Sequence, residues 1–212
     1  MTTIHTLGDS VLDCARYNER GIMPAELLAR NDDLLFPDFR GRDLSTLLSR
    51  DVRVDHRARD GAVAADLRAQ LRGMRVSAQD LVLLSIGGND LIAGLLDGDD
   101  RAFSQFGESV DGVLGQLPSA SVFVANVYDP SLGDDARNFL GGIDPAVARR
   151  AHRRVNQILA LAVARSGAVL VDLHAHFLTG DPTWFVQDIE PSLVGASEVR
   201  RAFLVSWEAL GE

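Results

Sequence analysis

Short runs of apolar, often β-branched residues alternate along the chain with longer segments in which apolar residues recur every three or four positions. The short runs are typical of buried strands and the longer segments of amphipathic helices. This alternation predicts a parallel sheet whose strands are joined by crossover helices. Five strands are expected, near residues 2–7, 51–55, 80–86, 121–127 and 168–173.

The helical pattern is clearest in three segments. Apolar residues share one side of the helices predicted over residues 62–74 and 101–117. A longer helix is predicted over residues 144–166, because Asp144 suits the N-cap and Pro145 the first helical turn. Together with the strands, these helices predict an α/β fold, a three-layer α/β/α sandwich around a five-stranded parallel sheet, similar to flavodoxin.

The length of the chain favours one domain over residues 1–212, because single domains reach roughly 250 residues before they divide. The segment 16–48 has weak periodicity and scattered polar residues, with one helix indicated around residues 24–30. We interpret this segment as an insertion or a lid on the predicted domain.

Charge excludes a generic nucleic-acid-binding protein. The net charge is −9, and all 21 basic residues are arginines, so a phosphate-binding surface would oppose the overall field. The basic run at residues 149–154, which includes Arg149 and His152, falls within a helical pattern and is interpreted as a solvated helix face.

The single cysteine and the apolar segments indicate a cytoplasmic protein. Cys14 has no second cysteine with which to form an internal disulfide or a thiolate metal site, so we expect a buried, inert thiol. The N-terminus lacks the pattern of a signal peptide, and no uncharged run approaches the roughly 18 residues of a membrane span.

Three short segments that follow predicted strands carry candidate chemistry. They are Gly8-Asp9-Ser10, Gly61, and Gly87-Gly88-Asn89-Asp90. Because sites in parallel sheets form at the carboxyl ends of the strands, we expect these segments to meet at one edge. Taken singly, each segment is also an ordinary turn or helix cap.

Together, these segments resemble the SGNH (GDSL-type) hydrolase family over the whole domain. That resemblance implies a serine esterase without a cofactor, in which Ser10 is the nucleophile. The oxyanion hole would consist of the Ser10 amide, the Gly61 amide and the Asn89 side chain. Loss of one such donor costs on the order of 3–4 kcal/mol in activation barrier.

The last block of the resemblance departs from the family pattern, which reads Asp-x-x-His-Pro-x-x-x-Gly. Here the residues from Gln187 to Gly195 read QDIEPSLVG. Pro191 and Gly195 keep the register, so Glu190 takes the place of the histidine base and Gln187 that of its aspartate partner. A carboxylate, with a pKa of about 4.3 against about 6.5 for imidazole, is the weaker base unless burial raises its pKa. Glu190 is also a plausible structural carboxylate near the start of the last helix.

A base from another segment is the alternative. Asp172, His174 and His176 follow the fifth strand and would share one face if the chain stayed extended. His176, with Glu190 orienting it, is then the second candidate base. The same three residues also admit a metal site, but further ligands at metal-binding spacing are missing, so no metal is expected. His5 is expected to pack within its strand.

The leading hypothesis is therefore a serine esterase that hydrolyses small or medium acyl esters, including deacetylation of a carbohydrate or similar metabolite. Its partner would be a small-molecule ester. One alternative is a binding or regulatory protein that keeps the fold without a competent base. The other is an acyltransferase that passes the acyl group to an alcohol, because it would use the same serine chemistry.

Overall fold

Strands and helices alternate along most of the chain in the computed structural model, which describes residues 1–118, 121–137 and 142–211. The predicted domain also includes residues 119–120, 138–141 and 212, which lie outside this description. The strands are β1 (Thr2–Gly8), β2 (Val52–His56), β3 (Leu81–Ser85), β4 (Val122–Ala125), β5 (Val169–Val171), β6 (Phe185–Val186) and β7 (Glu190–Pro191). The helices are α1 (Pro24–Ala29), α2 (Leu44–Leu47), α3 (Leu67–Gln70), α4 (Gly88–Ala93), α5 (Asp100–Leu114), α6 (Pro145–Ser166), α7 (Leu173–Phe177) and α8 (Leu193–Glu208).

The first five strands form one parallel sheet in the order β2-β1-β3-β4-β5, which confirms the predicted fold class. Alternate residues of β3 face opposite sides of this sheet. Val82 and Leu84 belong to a core that includes residues of α5 and α6. Leu81 and Leu83 belong to a second core that includes residues of α1 and α8. Helices therefore cover both faces of the sheet.

The predicted helices at 101–117 and 144–166 are confirmed, and the Asp144 carboxylate caps α6 by accepting a hydrogen bond from the Ala146 amide at 2.7 Å. The helix predicted over 62–74 is wrong in extent, because only α3 and a 3-10 turn before it form. The reason is a set of hydrogen bonds to residues that are distant in sequence. The Ala62 carbonyl and the Ala64 amide bond to the side chains of Asn89 and Asp90 in α4, so they are not available to a helix.

The segment 16–48 packs beside α8. Buried residues from it join the second core, among them Leu28, Phe39 and Leu44. The fully buried Arg200 of α8 stacks its guanidinium over the Phe39 ring and donates a hydrogen bond to Asn31 Oδ1 at 2.9 Å. These contacts favour a structural layer over a movable lid for this part of the segment.

Two predictions about single residues are confirmed. Cys14 is fully buried, and burial raises the pKa of its thiol to about 12, so the thiol stays protonated and inert. His5 is buried in β1 and hydrogen-bonds to Asp55 Oδ2 at 2.9 Å. Within the described ranges, none of the helices is both long enough and apolar enough to cross a membrane.

Candidate active site

Ser10 lies in a tight turn at the carboxyl end of β1, directly beside the end of β3. Gly8 pairs with Ser85 across the two strands, and the Asp9 amide donates to the Ser85 carbonyl at 3.1 Å. Gly8 has a φ of +120°, and a Cβ there would stand 1.7 Å from the Ser85 carbonyl oxygen. Only glycine fits this approach. The turn closes when the Asp13 amide donates to the Asp9 carbonyl, and no helix follows Ser10 directly, in contrast to many helix-capping turns.

The segment 59–62 connects the Ser10 turn to the turn after β3. The Arg59 amide donates to the Gly8 carbonyl at 2.8 Å, and the Asp60 amide donates to Asp13 Oδ2 at 2.9 Å. The Ala62 carbonyl accepts a hydrogen bond from the Asn89 side-chain amide at 3.0 Å. Gly61 lies between these anchored residues, with a φ of +79° and open space where a side chain would stand. The fold thus brings together the three segments that carry Ser10, Gly61 and Asn89.

Glu190 reaches the same place from β7, where it lines one cavity together with Ser10. Burial raises the pKa of Glu190 above its usual range, and the proximity of the Ser10 hydroxyl opposes that rise. The charge of Asp60 raises the pKa further, whereas Arg16 lowers it. Glu190 is 9% exposed, and its Oε2 atom has no hydrogen-bond partner among the described residues. A buried carboxyl group with an unpartnered oxygen therefore lines the same cavity as the serine.

Gln187 and Asp188, which precede Glu190, lie away from the serine. Both are exposed, at the turn between β6 and β7. Neither takes the place of the aspartate that orients the base in the family pattern. Glu190 itself lies in β7, and α8 begins after the Ser192 cap, so Glu190 is not part of the helix.

Two further carboxyl groups lie close to these turns. Asp9 is buried and accepts hydrogen bonds from the Ser85 hydroxyl at 3.2 Å and the Val11 amide at 3.2 Å. Burial raises the pKa of Asp9 to about 7. Asp90 accepts a hydrogen bond from the Ala64 amide at 3.0 Å, and burial raises its pKa to about 6. The buried surroundings of Ser10 therefore favour the protonated, uncharged form of these carboxyl groups.

The structure does not bring His176 to Ser10. Asp172 caps α7 by accepting a hydrogen bond from the Ala175 amide, so this segment is helical and not extended. His176 Nε2 lies 3.0 Å from Glu198 Oε2, on the side of the sheet that α8 covers. His174 packs its ring against His152, and its Nδ1 atom is buried without a hydrogen-bond partner in the described part of the chain.

The remaining histidines also have other partners. His5 bonds to Asp55, and His56 lies between Thr6 and Asp13. His152 Nε2 donates to the Val127 carbonyl oxygen at 2.7 Å. All five histidines are described, and none has a hydrogen bond to Ser10. Of the five histidines, His152 alone lines the cavity with Ser10, and its Nε2 atom is engaged by the Val127 carbonyl, so Glu190 is the candidate base.

A cavity with a volume of about 130 Å³ opens beside Ser10. Its polar lining includes Asp9, Ser10, Ser85, Asn89, Asn126 and Glu190. Its apolar lining includes Val11, Leu91, Ile92, Leu96, Pro130, Pro145 and Ala148. Among the described residues, no member of the segment 16–48 lines it. Gly61 also lies outside the lining.

The sequence pattern places two residues of this cavity on a solvated helix face. Arg149 and His152 line the cavity, in contrast to the predicted solvated helix face. Arg149 Nη1 donates to Asp129 Oδ2 at 3.2 Å, and burial lowers the pKa of His152. The signal was present in the spacing, because Ala148, His152 and Val155 share one side of α6 and the last of these is fully buried.

The residues of the metal hypothesis do not converge. Asp172 Oδ1 accepts a hydrogen bond from Asn126, whereas His174 and His176 contact different partners. In the described part of the chain, no group of three or more histidine, cysteine or acidic side chains is arranged to hold a metal ion.

Comparison with known proteins gives one family and several related folds. The model of the GDSL-like lipase/acylhydrolase family matches residues 6–195. Axe2, an acetylxylan esterase from Geobacillus stearothermophilus, superposes with a TM-score of 0.68 at 17% identity, over 96% of this chain and 93% of that chain. A lipase/acylhydrolase from Enterococcus faecalis superposes with a TM-score of 0.66 at 18% identity, over 100% and 96%. No curated protein sequence matches the chain.

Proposed function

The chain belongs to the GDSL-like lipase/acylhydrolase family, and from that premise we propose that it is a serine esterase in which Ser10 is the nucleophile and Glu190 the general base. The observation that carries this proposal is that Ser10 and the buried Glu190 line one cavity. The raised pKa of Glu190 supports it, because a carboxylate accepts a proton more readily as its pKa approaches the working pH.

The reaction follows the acyl-enzyme scheme. Glu190 accepts the proton as Ser10 Oγ attacks the ester carbonyl, and the tetrahedral intermediate forms. Glu190 then returns the proton to the leaving alcohol, and the acyl group stays on Ser10. A water molecule, deprotonated by the same carboxylate, attacks the acyl-enzyme, and Glu190 passes that proton to Ser10 Oγ as the bond between Ser10 and the acyl group breaks and the acid leaves.

The oxyanion would be stabilised by the Ser10 and Gly61 amides and the Asn89 side chain. Asn89 lines the cavity beside Ser10, and one of its two amide hydrogens already binds the Ala62 carbonyl. The other hydrogen is free to meet the oxyanion. Gly61 supports the assignment because it has open space at its Cβ position and lies on a segment bonded to both neighbouring turns.

The cavity favours esters with a small or medium acyl group. Its apolar lining comes mostly from α4, the turn after it and the first turns of α6, and it includes Ile92, Leu96 and Ala148. Such a wall suits an uncharged acyl chain. The acetylxylan esterase among the structural neighbours agrees with a short acyl group, and carbohydrate or metabolite deacetylation belongs to this proposal.

Hydrolysis of p-nitrophenyl acetate and butyrate, by the purified protein and its Ser10→Ala variant across pH, tests the proposal. We expect activity that is lost in the variant and that declines at acidic pH as Glu190 becomes protonated. Equal background rates for both proteins on both esters, together with no labelling of Ser10 by a fluorophosphonate, would reject it.

A binding or regulatory function is the second candidate. It is favoured by the lack of a histidine bonded to Ser10 and by the exposure of Gln187 at the position of the orienting aspartate. Fluorophosphonate labelling separates the two functions, because an activated Ser10 reacts and an inert one does not. Added alcohol acceptors in the ester assay would reveal acyl transfer, the third option for the same serine.

A further inference from the structure

Tyr128 makes a direct contact with the turn that presents Glu190. It lies three residues beyond the end of β4 and lines the cavity beside Ser10. Its hydroxyl donates a hydrogen bond to the carbonyl oxygen of Ile189 at 2.5 Å. Ile189 is joined by its peptide bond to Glu190, so this hydrogen bond holds the backbone immediately before the proposed base.

The turn before Glu190 needs such support. Gln187 and Asp188 have φ values of +49° and +69°, in the left-handed region that residues other than glycine seldom adopt. The adjoining strands pair through only two residue pairs, Phe185 with Pro191 and Val186 with Glu190. A two-stranded hairpin of this size is not stable by itself. Its conformation depends on contacts from elsewhere.

The ring of Tyr128 is held in place for this contact. It stacks on Phe177 with ring centroids 4.7 Å apart and planes 10° apart. Its edge meets Phe185 of β6 at 5.4 Å. The residue is buried, and burial raises the pKa of Tyr128 well above its usual range, so the hydroxyl keeps its proton and remains a donor. Two aromatic contacts therefore aim one permanent donor at the turn.

We propose that Tyr128 is a positioning residue that holds Glu190 beside Ser10 through the Ile189 carbonyl. The inference rests on the proposed function, because Glu190 must be the base for its position to control turnover. Tyr128 acts through the backbone, so its loss leaves the nucleophile and the oxyanion donors in place. The family's usual histidine is supported by an aspartate, and in this chain the backbone contact of Tyr128 takes over the positioning.

The chain has only one other tyrosine, and it supplies a matched control. Tyr17 also donates its hydroxyl near Glu190, but to Asp60 Oδ2 at 2.9 Å and not to the turn. Tyr128→Phe removes one oxygen atom and keeps the stacked ring. We expect this variant to lose about tenfold or more in kcat with little change in KM, and its pH midpoint to move toward acid. Tyr17→Phe should keep kcat within about twofold.

If the Tyr128 hydroxyl were only structural, Tyr128→Phe would lower the midpoint of urea unfolding and leave the pH midpoint of kcat unchanged. The positioning role is overturned if Tyr128→Phe keeps the wild-type kcat and pH midpoint, or if Tyr17→Phe loses as much activity as Tyr128→Phe.

A second measurement does not depend on turnover. The pKa of Glu190 is followed by NMR of protein labelled with ¹³C at the glutamate carboxyl carbon, with Glu190→Gln identifying the signal. Tyr128→Phe should lower that pKa toward its ordinary value, because the carboxyl becomes less buried, and an unchanged pKa would overturn the inference. If the pKa moves while the wild-type protein hydrolyses no ester and Ser10 resists labelling, the esterase proposal fails and the positioning of Glu190 by Tyr128 stands.

Discussion

Asn89 donates a hydrogen bond from its side-chain amide to the carbonyl oxygen of Ala62 at 3.0 Å, and so fixes the turn after β3 to the turn that carries Gly61. Its neighbour Asp90 strengthens the same connection by accepting a hydrogen bond from the Ala64 amide at 3.0 Å. The Ala62 bond uses one hydrogen of the Asn89 amide and orients the other. Asn89 thereby unites an anchoring role with the donor role proposed for it.

Replacement of Asn89 by alanine should reduce catalysis more than stability. Asn89→Ala removes the proposed oxyanion donor, so kcat should fall at least about tenfold, and losses of 10²–10³ are known for comparable donors. The two hydrogen bonds of Asp90 still hold the Ala64 amide, so the fold should persist. Ester hydrolysis and thermal unfolding, measured on the same preparation, test both parts. Unchanged turnover in a folded variant would exclude Asn89 from the oxyanion hole.

Glu190→Gln should abolish most of the ester hydrolysis. The activity that remains should no longer decline at acidic pH. The amide keeps the size of the side chain but accepts no proton, and general-base catalysis contributes about 10²–10⁴ in rate. In the wild-type protein, kcat should decline as the pH falls through the raised pKa of Glu190, because the protonated form is not a base. Glu198→Gln is the matched control, because Glu198 pairs with His176 and Arg201 away from the cavity. Equal activity in both variants would contradict the role of Glu190.

The sheet and the position of Glu190 were predictable because they depend on local pattern. Strands β3, β4 and β5 are nearly continuous apolar runs, and Pro191 and Gly195 fix the register that aligns Glu190 with the family's histidine. The short α3 was not predictable in the same way. Leu67 is a core residue as its periodicity suggests, but the start of the helix is decided by hydrogen bonds from Asn89 and Asp90, which are distant in sequence.

The positions of the histidines were also not predictable from the local sequence pattern. An extended strand end would have placed His174 and His176 on one face, and this assumption failed because Asp172 caps a helix there. His152 was assigned to solvent from the charge of its neighbours, although its spacing from Val155 indicated the buried side of α6. The charge of neighbouring residues predicted the burial of His152 less well than its spacing did, because an amphipathic helix can carry charges on one face while the next residue lines a cavity.

Asp9 should make the protein less stable as the pH rises from about 4 to about 7. Burial raises the pKa of Asp9 from 3.8 to about 7, so the folded protein binds a proton in this range that the unfolded chain has released. That proton favours the folded state below about pH 4, and its contribution is lost as the pH rises through 7. Asp9→Asn keeps an oxygen that can accept from Ser85 and has no charge to desolvate.

Urea unfolding across this pH range measures the effect of Asp9. The free energy of unfolding of Asp9→Asn should depend less on pH than that of the wild type. Asp38→Asn, at an exposed position, should retain the wild-type dependence. Parallel curves for the wild type and Asp9→Asn would mean that the Asp9 carboxyl is not desolvated as the structure indicates.

Gly195 should be intolerant of any side chain, because α8 begins against the chain that leads into β6. A Cβ at Gly195 would stand 2.0 Å from the Trp184 carbonyl oxygen and 3.3 Å from Pro191 Cβ. Gly195→Ala must push these backbones apart, so we expect a loss of at least about 2 kcal/mol in the free energy of unfolding. Gly112→Ala is the control, since its nearest atom is Arg68 Nη2 at 4.0 Å and alanine in the exposed interior of α5 should stabilise by about 0.5–1 kcal/mol.

Because Trp184 and Pro191 flank the hairpin that presents Glu190, Gly195→Ala should also lower kcat in the fraction that remains folded. Wild-type stability in this variant would show that the approach of α8 to the hairpin is looser than the 2.0 Å contact requires.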